Sequence, residues 1–333
     1  MAATWLGEFD DLSSTAAAEM ATMDKSGTSV FEPGKHAVED IEVDANDAAP
    51  APPVPVLIVA PKDAGTYPVV MLLHGFLLRN HYYQHLLRHV ASHGYITVAP
   101  QFSVSNSLLP PLGDGEDIAA AARVADWLPG GLPSVLPDGV DPELPRLALA
   151  GHSRGGHTAF ALALGYGDTR LEVSFSALIG LDPVAGAGRN AQLPPEILTY
   201  EPSSFDTLTA GMPVLVVGTG LGEEGKGGLL PACAPAEVGR AEFYRKCRPP
   251  CYHVVARDYG HLDLLDDDAP ALITGLVCES GDGPRDAMRR CVAGIMVAFL
   301  NAALGAEDGD LQAIVRDPAV SPAVLDPVDH RLQ

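Results

Sequence analysis

Ser153 stands in Gly151-His152-Ser153-Arg154-Gly155-Gly156, where the apolar run Leu147–Ala150 stops and a helix-forming stretch begins. Glycine costs backbone entropy inside regular elements, so glycines at 151, 155 and 156 need a reason. G-x-S-x-G between a strand and a helix supplies one: a sharp turn that pushes a serine hydroxyl outward. Side chains at 151 and 155 would collide with the neighbouring strand and helix. The chemistry is nucleophilic attack on a carbonyl. A serine hydroxyl is a poor nucleophile near neutral pH, so it needs a base to take its proton and a carboxylate to orient that base.

Where a serine sits on such a turn, the acid and then the histidine follow it along the chain. Of eleven histidines, His157, His253, His261 and His330 come after Ser153. His157 lies one helical turn on, on the same element. His253 falls inside an expected strand and His330 in an expected tail. His261, in RDYGHLDLLDD, follows a strand and a glycine and is the expected base. Asp182, in GLDPVAG at a strand end, is favoured as the acid over Glu223 or Glu224, which lie past the next strand, PVLVVGT. Asp258, Asp263 and Asp266–Asp268 read as a solvated acidic loop, with Asp263 fixing that loop. Attack on an ester leaves negative charge on oxygen, which backbone N–H groups stabilise. Arg154 supplies one donor. The other is expected from MLLHGFLL: Phe76 first, Leu77 second, with His74 capping the turn.

These residues need elements to hold them. Strands are expected at 55–61, 68–75, 95–102, 144–151, 173–182, 213–219 and 252–258, and helices at 81–93, 113–128, 154–166 and 286–304. Such alternation predicts an α/β fold, a mostly parallel central sheet with helices on both faces. Active groups then gather at the carboxyl ends of the strands. Residues 1–28 read as a loosely held tail, 29–320 as a single domain with a lid or insertion at 220–250, and 321–333 as a C-terminal tail. Apolar loops at Phe76–Leu78, Phe102, 108–112 and Leu262–Leu265 would wall a pocket.

Composition narrows the function classes. With 43 acidic against 21 basic residues and a net charge of −22, the chain is a poor partner for nucleic acid or anionic lipid. The five cysteines lie between 233 and 291, leaving room for one or two bridges of open pairing. The 247–251 spacing lacks the second Cys/His pair of a zinc site, so neither metal nor cofactor is expected. The N-terminus has neither the basic and apolar regions of a secretory signal nor the arginines of a transit peptide. No apolar run reaches the length of a membrane span, and 291–306 reads as a packed helix.

The set GHSRGG at 151–156, GLDPVAG at 180–186, YGHLDLLDD at 259–267 and LLHGF at 72–76 resembles the plant chlorophyllases, an α/β-hydrolase family. The likeness runs from about residue 30 onward. It implies hydrolysis of the phytyl ester of chlorophyll to chlorophyllide and phytol, a step of chlorophyll catabolism and porphyrin degradation. It places the family's serine, aspartate and histidine on Ser153, Asp182 and His261. It also implies a pigment as substrate, peripheral contact with a pigment-bearing membrane, and the chloroplast as compartment, with cytosol or endoplasmic reticulum as alternatives. The same residues allow a general carboxylesterase or lipase on hydrophobic acyl esters, or a non-catalytic pigment or lipid carrier.

Overall fold

The structure is a computed structural model that describes residues 28–44, 49–102, 115–167, 171–199, 205, 206, 208 and 211–332. The tail expected over 1–28 (Thr28 apart) and the apolar run 108–112 lie outside the described residues. In chain order the principal elements are β1 (Val38–Val43), β2 (Val56–Pro61), β3 (Gly65–Leu73), α1 (Gln84–Ser92), β4 (Ile96–Pro100), α2 (Gly115–Gly131), β5 (Val140–His152) and α3 (Arg154–Ala163). They continue with β6 (Ala177–Leu181), β7 (Val214–Thr219), α4 (Arg240–Lys246), β8 (Cys251–Ala256), α5 (Arg285–Gly305), α6 (Gly309–Arg316) and β9 (Leu325–Arg331).

Among the described residues these strands form one nine-stranded sheet in the order β1-β2-β4-β3-β5-β6-β7-β8-β9. From β4 through β8 neighbouring strands pair in parallel. β1 with β2, β2 with β4, and β8 with β9 pair antiparallel. Central strands buried on both faces read as continuous apolar runs, as β2 and β7 do. Side chains of β3 alternate between two cores, because successive residues of a strand point to opposite faces. Val70 and Leu72 join α1, α5 and α6 on one side. Val69, Met71 and Leu73 join α2, α3 and the Phe160–Phe205–Phe243 cluster on the other.

Helix α5 is long and apolar enough to cross a membrane by length and composition. Its Met288, Val292, Ile295, Met296 and Phe299 are buried in the core instead. Burial of side chains of this size contributes about 1.5–3 kcal/mol each.

One correction concerns the end of the sheet. Residues 321–333, expected as a tail, carry β9, which pairs with β8 from Cys251↔Arg331 to Ala256↔Leu325. Its sequence LDPVDHR hides the strand, because proline and charges belong on an edge that faces water. β1, VEDIEV, is polar for the same reason.

The register carries the strand ends to one place. Leu73 pairs with Gly151, His152 with Leu181, Leu181 with Val217, and Thr219 with Ala256. The loops leaving β3, β5, β6, β7 and β8 therefore start side by side.

Candidate active site

Ser153 follows β5 directly and caps α3, with φ 56° and ψ −125°. That conformation is costly for a residue with a side chain and persists only where the surroundings enforce it. The glycines make it possible through close approach. A Cβ on Gly151 would lie 2.0 Å from the Gly155 carbonyl oxygen, and one on Gly155 would lie 2.3 Å from that of Leu73. Gly156 packs against Pro183. Ser153 is half-buried.

The structure brings Ser153, His261 and Asp182 together. His261 Nε2 lies 2.8 Å from Ser153 Oγ, and Nδ1 lies 2.7 Å from Asp182 Oδ2. The proton on Nδ1 faces the carboxylate, which leaves Nε2 as the acceptor for the serine proton. Of the other histidines, His157 is buried with Nε2 2.9 Å from the Pro195 carbonyl. His253 lies within β8 against Asp329, and His330 stacks on Tyr252.

Asp182 is buried, with φ 40°, a left-handed conformation that aspartate tolerates better than most residues. Its carboxylate accepts the Thr219 hydroxyl at Oδ2 (2.7 Å) and the Thr219 backbone N–H at Oδ1 (3.1 Å). Burial pushes this carboxyl up, but the His261 hydrogen bond and charge, with Thr219 and Arg240, outweigh it and hold it below its ordinary value. Its ionised form is thus favoured above the ordinary carboxylate range and lost only as pH falls through the lowered value. Thr219 was not singled out in the sequence. The end of β7 carries no acid there, and it supplies hydrogen-bond donors to Asp182, which follows β6. Glu223 instead pairs with Arg240 at 3.0 Å.

Phe76 follows Gly75 at the end of β3, half-buried, and its ring lies 5.5 Å from the Arg154 guanidinium carbon. Gly75 is packed against Ser153, so the Phe76 loop borders that serine. His74 is buried. Its Nε2 accepts the Phe102 N–H at 3.0 Å, and its Nδ1 lies 2.9 Å from the Gly75 carbonyl. That carbonyl also accepts the Leu78 N–H. A trans peptide aims its N–H opposite to its C=O, so holding the Gly75 carbonyl fixes the direction of the Phe76 N–H. Arg154 opens α3, where the first-turn N–H groups point out of the helix end. Its side chain pairs with Asp117 at 3.3 Å.

Several loop residues differ from expectation. Leu78, Leu262, Leu264 and Leu265 pack in the core, while Phe76 and Leu77 keep partial exposure. Asp263 and Asp266 are buried rather than solvated. Asp263 accepts the N–H groups of Gly260 and Gly281 and so fixes the His261 loop. A disulfide joins Cys233 to Cys278, tying the 220–250 segment to the chain beyond His261. Cys247, Cys251 and Cys291 are free and buried.

Burial lowers His74 to about 4 and, with the neighbouring His261 ring, His152 to about 3. In the unfolded chain both titrate near 6.5. Unfolding at pH 5 therefore takes up roughly two protons from this pair, and its slope approaches about 3 kcal/mol per pH unit. The stability these groups provide is complete above the unfolded value and declines as pH falls toward 4. Thermal melts should show Tm dropping between pH 7 and pH 5. A flat Tm over that interval would contradict two buried neutral imidazoles.

The family model described as Chlorophyllase matches residues 26–332. The chain is 47% identical over 303 residues to Chlorophyllase-1 of Arabidopsis thaliana, covering 89% of this chain and 91% of that protein. It is 43% identical over 303 residues to Chlorophyllase-2 of Arabidopsis thaliana, covering 87% and 93%. It is 41% identical over 307 residues to "Chlorophyllase-1, chloroplastic" of Citrus unshiu, covering 90% and 88%.

Proposed function

The chain belongs to the chlorophyllase family, and from that premise we propose that it hydrolyses the phytyl ester of chlorophyll through an acyl-enzyme on Ser153. The observation that carries this reading is the continuous hydrogen-bonded line from Ser153 Oγ through His261 to Asp182. Oγ attacks the ester carbonyl carbon and its proton passes to His261 Nε2. The carbonyl oxygen takes up negative charge facing the backbone N–H groups of Phe76 and Arg154, each donor lowering the barrier by about 3 kcal/mol. Collapse breaks the bond to the phytyl oxygen, which leaves as phytol with the proton from His261. Water, deprotonated by His261, then attacks the ester on Ser153. Chlorophyllide departs and the serine regains its proton. Asp182 stays ionised and keeps the imidazole in the required tautomer. Magnesium enters only as part of the pigment.

Membrane contact is part of the same reading. Leu229 is 92% exposed, and Leu230, Leu276 and Val277 are exposed nearby along the two segments that Cys233–Cys278 joins. The first of these segments leaves the sheet after β7 and passes Gly222, where a Cβ would lie 2.7 Å from Asp182 Oδ2. Exposed apolar side chains on the site's end of the sheet suit the surface of a pigment-bearing membrane. The name "chloroplastic" of the Citrus relatives supports the chloroplast as the compartment.

A steady-state comparison tests the substrate. Chlorophyll a should give a higher kcat/KM than a short p-nitrophenyl ester, and the reverse order would favour a general carboxylesterase. With chlorophyll carried in vesicles, Leu229→Asp with Leu230→Asp should slow hydrolysis several-fold while the soluble ester is hydrolysed as before. Equal rates on both substrates would remove these leucines from the membrane reading.

A further inference from the structure

His152 enters the motif only as the residue before the nucleophile, yet it is fully buried and bonded at both ring nitrogens. Its Nε2 lies 3.0 Å from the His261 carbonyl oxygen, which can only accept, so Nε2 carries the proton. The neutral ring then accepts at Nδ1, and the partner there is Tyr83 Oη at 2.7 Å. The tyrosine hydroxyl therefore donates to His152. Its oxygen in turn accepts the Gly75 N–H at 3.2 Å. Every proton in this chain has one placement: Gly75 N–H to Tyr83, Tyr83 O–H to His152, His152 N–H to the His261 carbonyl.

The two ends of the chain are the loops that the proposed chemistry needs. Gly75 directly precedes Phe76, and a Cβ on Gly75 would lie 3.0 Å from Ser153 Cβ and 3.4 Å from His152 Nδ1. The other end is the backbone of the base itself, with the His152 and His261 rings 4.8 Å apart. The segment bearing Tyr83 also braces the histidine loop: the Tyr82 carbonyl accepts the Asp266 N–H, and Asp266 Oδ2 accepts the His85 N–H. Fully satisfied buried networks of this kind rigidify the groups they join.

We infer that Tyr83 and His152 are positioning residues that lock the oxyanion-binding backbone at Gly75–Phe76 to the backbone of His261, so that donor and base stay in one register. The inference rests on the roles proposed above for Ser153, His261 and Phe76. Neither side chain hydrogen-bonds to Ser153 or to the His261 ring.

Tyr83→Phe removes one oxygen and keeps the ring. Losing an oxyanion donor outright costs on the order of 10²–10³ in kcat, so loosening one should lower kcat on chlorophyll by at least about tenfold, with KM within about twofold. Fluorophosphonate labelling of Ser153 should slow by the same factor. A purely structural tyrosine would lower Tm and leave kcat unchanged well below it. His152→Gln can donate from its amide NH₂ to the His261 carbonyl and accept the Tyr83 hydroxyl at its amide oxygen, so it should keep most of the rate, whereas His152→Leu can do neither and should lose it as Tyr83→Phe does. This pair decides the matter if Tyr83→Phe does not fold. Wild-type kcat in Tyr83→Phe, or equal losses in His152→Gln and His152→Leu, would overturn the inference. If the wild-type protein itself fails to label at Ser153, the underlying site assignment falls instead.

Discussion

Ser153→Ala should reduce chlorophyll hydrolysis by about 10⁶-fold in kcat, the scale on which loss of a serine nucleophile disables a triad. The substitution deletes Oγ, the atom 2.8 Å from His261 Nε2, and little else. Alanine keeps the Cβ that packs near Gly75 and meets the same backbone restriction at φ 56°. The turn is held by neighbours rather than by the hydroxyl: the Ser153 N–H donates to the Leu181 carbonyl, and the Ser153 carbonyl accepts from Gly156 and Val184. The variant should therefore melt within a degree or two of the wild type, about what a surface change gives. Chlorophyllide release and a thermal melt on the same sample check both halves. Residual turnover above about one-hundredth of wild type in a folded variant would mean that another group attacks the ester.

Asp182→Asn is expected to cost on the order of 10⁴ in kcat. Thr219 donates to both carboxylate oxygens, by its hydroxyl to Oδ2 and its N–H to Oδ1. In the asparagine variant one of these sites becomes an amide NH₂, which cannot accept. The arrangement that best satisfies the Thr219 N–H turns the amide NH₂ toward His261 Nδ1. The imidazole then shifts its proton to Nε2 and can no longer take one from Ser153. Stability should change far less than rate, because the side chain remains buried with partners. Undiminished activity in Asp182→Asn would move the orienting role to Glu223 or Glu224, although Glu223 is held by Arg240.

The candidate site was legible wherever chemistry coincided with a strand end. Ser153, Asp182 and His261 each follow an apolar run, and a parallel sheet gathers such ends. The histidine choice needed only the elimination of residues inside elements or on the nucleophile's own helix. Thr219 and the Tyr83–His152 chain were not legible, because a threonine, a tyrosine and a histidine in supporting positions belong to no motif that names their partners. Strands β1 and β9 were missed for a different reason. Their polar, edge-protecting composition erases the apolar signal by which the buried strands were found. The leucines after His261 drew attention as a pocket wall, yet the fold uses Leu262, Leu264 and Leu265 as core beneath that loop. Apolar character alone does not separate a lining from a foundation.

One titration tests the central claim most directly: a fluorophosphonate added in increments to the purified protein, with the modified residue identified by peptide mass and chlorophyll hydrolysis followed in the same samples. The account predicts a single adduct on Ser153 and activity that declines in step with its occupancy. Full occupancy of Ser153 with chlorophyll hydrolysis undiminished would contradict it.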